Sequence, residues 1–271
     1  MKDSTEDKKF SPKKLIINYN KEYINKFEEN KKEFLTRLKS DNLSKADKQK
    51  ISNYCLKHGY KKDDIVKELK KSLYLIDFFV PEPSRQSFHE NLMYQNLYEV
   101  FNDVGFIEIK KLNNKALYIN NKGKAVSKDK LGKADKKTKS IDFETTYTFK
   151  GETLLFLMSA KYTNEDGGAQ DNQRNDMINS LENASNITDK NMVFLGILEG
   201  DYYKKIRKYN KISHLEALKR DYDKENINVD DLYNTSKRII EIIKDWLIEN
   251  FEDNKEREEE LIKLNKMLST Y

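Results

Sequence analysis

A chain of 271 residues with 37% hydrophobic and 36% charged side chains can bury one sizeable core, but only in elements whose outer faces stay wet. Its 51 basic residues are nearly balanced by 46 acidic ones, so the net charge of +5 makes a weak overall field and any polyanion site must come from local clustering. Sixteen Tyr and 13 Phe argue against wholesale disorder, the single Cys excludes an intrachain disulfide framework, and no apolar run approaches the ~20 residues that span a bilayer. The first residues lack the apolar stretch of a signal peptide, so a soluble cytoplasmic protein without membrane contact is expected.

Helical periodicity is read over Lys21 to Leu38, Ala46 to His58 and Lys62 to Phe78, a basic helical layer assigned to residues 1–80, in which Cys55 is expected to pack as a small apolar side chain. Val80-Pro81-Glu82-Pro83 stops helix propagation, and Ser84 is placed as the N-cap of a helix running to about Val104 and ended by Gly105. The period then shortens. Phe106 to Ile109 and Ala116 to Asn120 read as short strands, Lys139 to Phe149 and Thr153 to Lys161 as longer ones, and Met192 to Leu198 as a buried strand after a helix over Ala169 to Ala184. Amphipathic helices are expected around Asp230 to Phe251 and on to Leu268. The predicted fold is α/β, with a mixed central sheet of four or five strands flanked by helices, divided as 1–80, 81–205 and 206–271.

The sharpest inference concerns the strands on either side of Lys150-Gly151. Glycine supplies the positive φ that a two-residue hairpin turn needs, and pairing outward from that turn sets Asp142 against Ser159, with side-chain bases about 5 Å apart. Lys161 then points the same way and pairs with Ser140. Ile141, Phe143, Tyr147 and Phe149 share the core side with Leu154, Phe156, Met158 and Ala160. The other side carries Asp142, Glu144, Ser159 and Lys161. Acids and a lysine at a strand end suit phosphodiester hydrolysis with a divalent cation: carboxylates hold the ion, and the lysine positions or deprotonates the attacking water. A solvated strand face with a chance Asp and Lys is the plainer alternative.

Ser140-Ile141-Asp142, followed by an apolar strand ending Met158-Ser159-Ala160-Lys161, resembles the PD-(D/E)xK nuclease superfamily, specifically type II restriction endonucleases in which serine replaces the second acid. The resemblance covers roughly residues 84–200. It implies hydrolysis of duplex DNA at a short specific sequence, Mg²⁺ as cofactor with Mn²⁺ as a substitute, Asp142 as metal-binding aspartate and Lys161 as catalytic lysine. No proline precedes Asp142, and Ser159 brings no negative charge, so another carboxylate must complete a metal site. Glu144 and Glu90 are the first candidates and Asp176 the third. Cutting both strands is most simply done by two copies of one site, so a homodimer is expected.

In the segment after Lys161, Gln170, Gln173 and Arg174 share the helical stripe of Met177, Leu181 and Ala184, which aims their polar ends inward. Gln170 resembles the glutamine that family members place beside the active site, and Gln173 and Arg174 are candidate DNA contacts. Between Lys110 and Lys139 stand eleven lysines and two acids, and Lys122, Lys124, Lys128, Lys130 and Lys133 are expected to follow a phosphate backbone. His89 and Trp246 read as packing residues. A catalytically inactive DNA-binding relative and a repair or junction nuclease of the same superfamily are the competing functions.

Overall fold

The structure is a computed structural model that describes residues 10–83, 85–102, 105–113, 116–135, 138–164, 168–206 and 211–271, with 85, 86, 134 and 168–170 described by their backbone alone. Two compact units form, residues 18–88 and residues 10–17 with 89–271.

The smaller unit is helical: α1 (Tyr19–Lys39), α2 (Lys45–His58), α3 (Lys62–Leu69) and α4 (Leu73–Asp77). Their apolar stripes meet in a core of Phe34, Leu38, Ile51, Cys55, Leu69, Ile76 and Phe79, with Cys55 buried as expected. Ser44 and Asp47 close a capping box at the start of α2, and buried Asp47 also accepts from Arg37. The third expected helix is broken in two, because the Ser72 side chain accepts the Leu75 N–H and starts α4 afresh.

The larger unit takes in α5 (Arg85–Phe101) from His89 onward. The Ser84 cap expected for α5 lies outside the described residues. Then come β1 (Glu108–Lys111), β2 (Tyr118–Ile119), β3 (Ala125–Val126), β4 (Phe143–Phe149), β5 (Glu152–Tyr162), α6 (Gly168–Ala184), β6 (Met192–Glu199), α7 (Asp201–Lys204), α8 (His214–Tyr222), β7 (Ile227–Asp230), α9 (Leu232–Asn250) and α10 (Lys255–Leu268). Five strands form a mixed sheet in the order β1-β4-β5-β6-β7, antiparallel from β1 to β5 and parallel from β5 to β7.

The α/β reading with a mixed sheet flanked by helices therefore holds. The hairpin turn is where it was expected: Lys150 and Gly151 have φ of 49° and 87°, and Phe149 pairs with Glu152. The strand expected at Ala116–Asn120 instead joins β3 in a separate two-stranded ribbon. The first expected strand begins later, at Glu108, after Gly105 turns the chain at φ 64° and Asn102 accepts the Ile109 N–H.

Both faces of β5 and β6 are covered. One packs Leu157, Phe194, Leu198, Ile227 and Val229 under Met177, Leu181 and Ala184 of α6 and Leu218 of α8. On the other, α9 lies against β6 and β7, and Trp246 meets Tyr147 edge-on while donating to Asn191. That explains why β6 is buried at all eight positions and reads as one apolar run. Among the described residues no helix is long and apolar enough to cross a membrane.

Candidate active site

The register places Phe143 opposite Met158, so Asp142 arrives beside Ser159 at the end of the hairpin remote from its turn. Regular pairing stops there. The Asp142 N–H donates to the Met158 carbonyl at 2.9 Å, and the Asp142 carboxylate reaches across to accept the Ala160 N–H at 2.8 Å. A side chain thus replaces the next rung of the ladder.

This bend corrects two expectations. Ser140 bridges Tyr118 of the β2–β3 ribbon, not Lys161. Ile141 hydrogen-bonds Leu117 and packs with Leu157 and Met177, on the opposite face from Phe143, because the chain turns over at Asp142 and loses its strict alternation.

The central pair nevertheless forms. Lys161 Nζ stands 3.4 Å from Asp142 Oδ2 and donates to the Ala160 carbonyl at 3.0 Å, with only 7% of the lysine side chain and 13% of the aspartate side chain exposed. An ammonium thus occupies the space between a carboxylate oxygen and a carbonyl oxygen, two hard ligands of the kind that Mg²⁺ takes. Ser159 is 2% exposed, and its Oγ is buried without a hydrogen-bond partner. Across the parallel ladder it faces Gly196, where an added Cβ would lie 3.1 Å from Met177 Sδ, so α6 packs close over this part of the strand.

The other acids do not join the pair in a compact cluster. Glu144 is half-buried between Lys110 of β1 and Leu157 of β5 in register. Glu90 is half-buried on α5, and Asp176 pairs with Lys139 at 3.3 Å. Among the described residues no three His, Cys, Asp or Glu side chains lie close enough to hold a metal together. Asp142 and the Ala160 carbonyl converge on Lys161 Nζ, and two such oxygens could hold a divalent cation only if water filled its remaining positions.

On α6, Gln173 accepts a 2.7 Å hydrogen bond from the Thr163 hydroxyl, and Arg174 is half-buried with Nε enclosed and unbonded. Both point inward, as their stripe implies. The Gln170 side chain lies outside the described residues.

Lys122, Lys124, Lys128, Lys130 and Lys133 are all exposed, yet the segment carrying them is not a loose loop. Buried Asp135 accepts from the backbone of Asn121 and Gly132. Asn183 donates to the Ile119 carbonyl and Asn186 to that of Asn121. Gly123 has φ 70°, and a Cβ there would fall 2.2 Å from the Asn186 backbone. The tip of the segment is thus fastened to the end of α6, whereas Thr163 and Gln173 meet near its beginning.

Three groups escaped the sequence reading. One is a main-chain atom, the Ala160 carbonyl, which carries no residue-type signal. A second is Thr163, whose hydroxyl orients Gln173. The third is Glu199, 9% exposed at the end of β6, which accepts the Leu232 N–H at the start of α9. Burial pushes its carboxyl up to about 7, helped by Asp231, while hydrogen bonds from the Leu232 and Gly200 backbone and the charge of Lys204 pull the other way. A glutamate closing the apolar run Met192–Leu198 was the available hint. His89 stacks on Tyr162 at 3.6 Å, and burial raises the Tyr162 hydroxyl to about 12.

No protein-family model, curated protein or solved structure matches this chain.

Proposed function

We propose that the chain is a metal-dependent deoxyribonuclease that cuts duplex DNA at a short specific sequence, in the manner of a type II restriction endonuclease of the PD-(D/E)xK kind. One observation carries the reading: Lys161 Nζ lies 3.4 Å from the Asp142 carboxylate and 3.0 Å from the Ala160 carbonyl at the mouth of a hairpin. A lysine held by two hard oxygens serves little structural purpose that an apolar residue would not serve better, since burying charges is costly. Metal-assisted phosphodiester hydrolysis can use this combination, an anionic oxygen and a carbonyl for the cation with a positive charge beside them.

Asp142 and the Ala160 carbonyl would hold Mg²⁺, or Mn²⁺ in its place. The ion supplies charge stabilisation for the phosphate and an acidified water. Lys161, released from the two oxygens, would orient that water with its ammonium N–H groups and lend positive charge to the phosphate. Ser159 offers a neutral hydroxyl beside them, and Glu144, Glu90 and Asp176 remain the candidates for a further acid. Exposed Lys122, Lys124, Lys128, Lys130 and Lys133 supply positive charge for the backbone of DNA. A homodimer acting in the cytoplasm completes the proposal, one site for each strand.

A catalytically inactive DNA-binding relative is the second reading, favoured by the absence of a three-residue acidic cluster among the described residues. Plasmid DNA incubated with the protein and Mg²⁺ separates the two. Discrete fragments, lost with Asp142→Ala and with Lys161→Ala, support the nuclease. Uncut but retarded DNA supports the binding protein, and full cutting by either purified variant removes the proposed site.

A further inference from the structure

The charge of the molecule is not shared between its two units. Residues 18–88 contain sixteen Lys and Arg against eleven Asp and Glu, a net of +5 that equals the net charge of the whole chain and leaves the sheet-bearing unit neutral. Ion pairs within the helical unit engage Lys26, Lys31, Arg37, Lys70 and Lys71. Lys57, Lys61 and Lys62 are exposed and take part in no ion pair among the described residues. These three flank a single corner, the turn from α2 into α3.

The corner has a built shape. Gly59 ends α2 at φ 72°, and the Tyr60 N–H returns to the Cys55 carbonyl, which brings the chain back over its own last turn. As a result Tyr54, His58 and Tyr60 cluster: Tyr54 and His58 lie 4.6 Å apart with planes inclined at 42°, and Tyr54 and Tyr60 6.0 Å apart with planes 15° apart. Phe79 braces Tyr54 edge-on at 5.1 Å. Tyr60 remains 55% exposed. An aromatic platform fixed from below, with unpaired lysines around it, suits the outside of a nucleic-acid duplex, with ammonium groups on phosphates and a ring face against a sugar. Asp63 and Asp64 stand in the first turn of α3, where they offset its dipole.

We infer that the α2–α3 corner of the helical unit is a docking surface for duplex DNA, with Lys57, Lys61 and Lys62 on the phosphate backbone and the Tyr60 ring against a deoxyribose. This rests on DNA being the partner, and it assigns DNA holding to a unit other than the one that carries Asp142 and Lys161. It is tested on the full chain by anisotropy of a fluorescein-labelled duplex in EDTA, where no cutting occurs, across a KCl series. Replacing Lys57, Lys61 and Lys62 together by Gln is expected to make the slope of log K against log[salt] shallower by about 2.7, near 0.9 for each lost phosphate contact. The triple Arg variant is expected to keep the wild-type slope, and Tyr60→Ala to weaken binding while leaving the slope unchanged.

An unchanged slope in the Gln variant overturns the inference, as does a wild-type protein that binds no duplex. So does a Gln variant whose only change is in self-association by sedimentation, because the corner would then meet a second copy of the chain. Cleavage in Mg²⁺ is scored separately. Binding that depends on these lysines without cutting retains the docking surface and removes the nuclease, whereas cutting with an unchanged slope does the reverse.

Discussion

Truncating Asp142 to Ala should cost more stability than truncating Lys161, although both belong to one pair. Asp142 Oδ2 accepts the Ala160 N–H at 2.8 Å and faces Lys161 Nζ at 3.4 Å, with side chains 13% and 7% exposed. Without the carboxylate, a nearly buried ammonium keeps one carbonyl oxygen and no counter-charge, a loss of about 3–5 kcal/mol. Lys161→Met leaves the less buried carboxylate still bonded to the Ala160 N–H and should cost about 1–2 kcal/mol. The double variant no longer strands an ammonium, so it should fall short of the summed single losses by at least about 1 kcal/mol. Urea unfolding followed by fluorescence measures this cleanly, because the only tryptophan, Trp246, packs on Tyr147 of β4 and reports on the unit that holds the pair. An Asp142→Ala protein within about 1 kcal/mol of wild type at unchanged m-value, or a strictly additive cycle, would refute the claim that these groups compensate each other.

Glu199 predicts a pH effect of definite sign. Its folded carboxyl titrates near 7, above the ordinary 4.5, so its contribution is complete below pH 4.5 and is lost as pH rises through 7. Stability should fall across that window by on the order of 3 kcal/mol, and Glu199→Gln, which can still accept the Leu232 N–H, should flatten the curve between pH 5 and 8. Gly200→Ala places a Cβ 2.2 Å from the Thr163 carbonyl at a φ of 101°. It should cost at least about 2 kcal/mol by the same unfolding assay. Mg²⁺ at ten times its dissociation constant should stabilise the wild-type protein by about 1.4 kcal/mol, and Asp142→Ala should abolish the rise in thermal midpoint that calorimetry records.

The hairpin was readable because its determinants are local. A glycine at the turn and apolar alternation on both sides fix the pairing from within a short stretch. The bend at Asp142 was not readable, since it depends on Leu117 and Tyr118 arriving from the separate ribbon to claim Ile141 and Ser140. Lysine density made residues 110–139 look like a loop. Within that segment, Ile119 and Asn121 are held by a buried Asp135 and by amides lent by Asn183 and Asn186, contacts across long sequence separations. Strand β7 escaped notice because Ile227 and Val229 alternate with Asn228 and Asp230 over only four residues, too short a pattern to separate from its charged surroundings. The candidate site was legible at Asp142 and Lys161, whose side chains share a strand end. The Ala160 carbonyl was not, being common to every residue.

The Lys150-Gly151 turn acts on the site from the far end of its two strands. Surface turns ordinarily absorb insertions without consequence. Here one added residue would either bulge at the tip or slide β4 along β5 by ~3.3 Å and turn its faces over, separating the aspartate from the lysine. Chain length at this exposed corner is therefore under the same constraint as the identity of the charged residues it aligns, and variation among descendants of this sequence should avoid it.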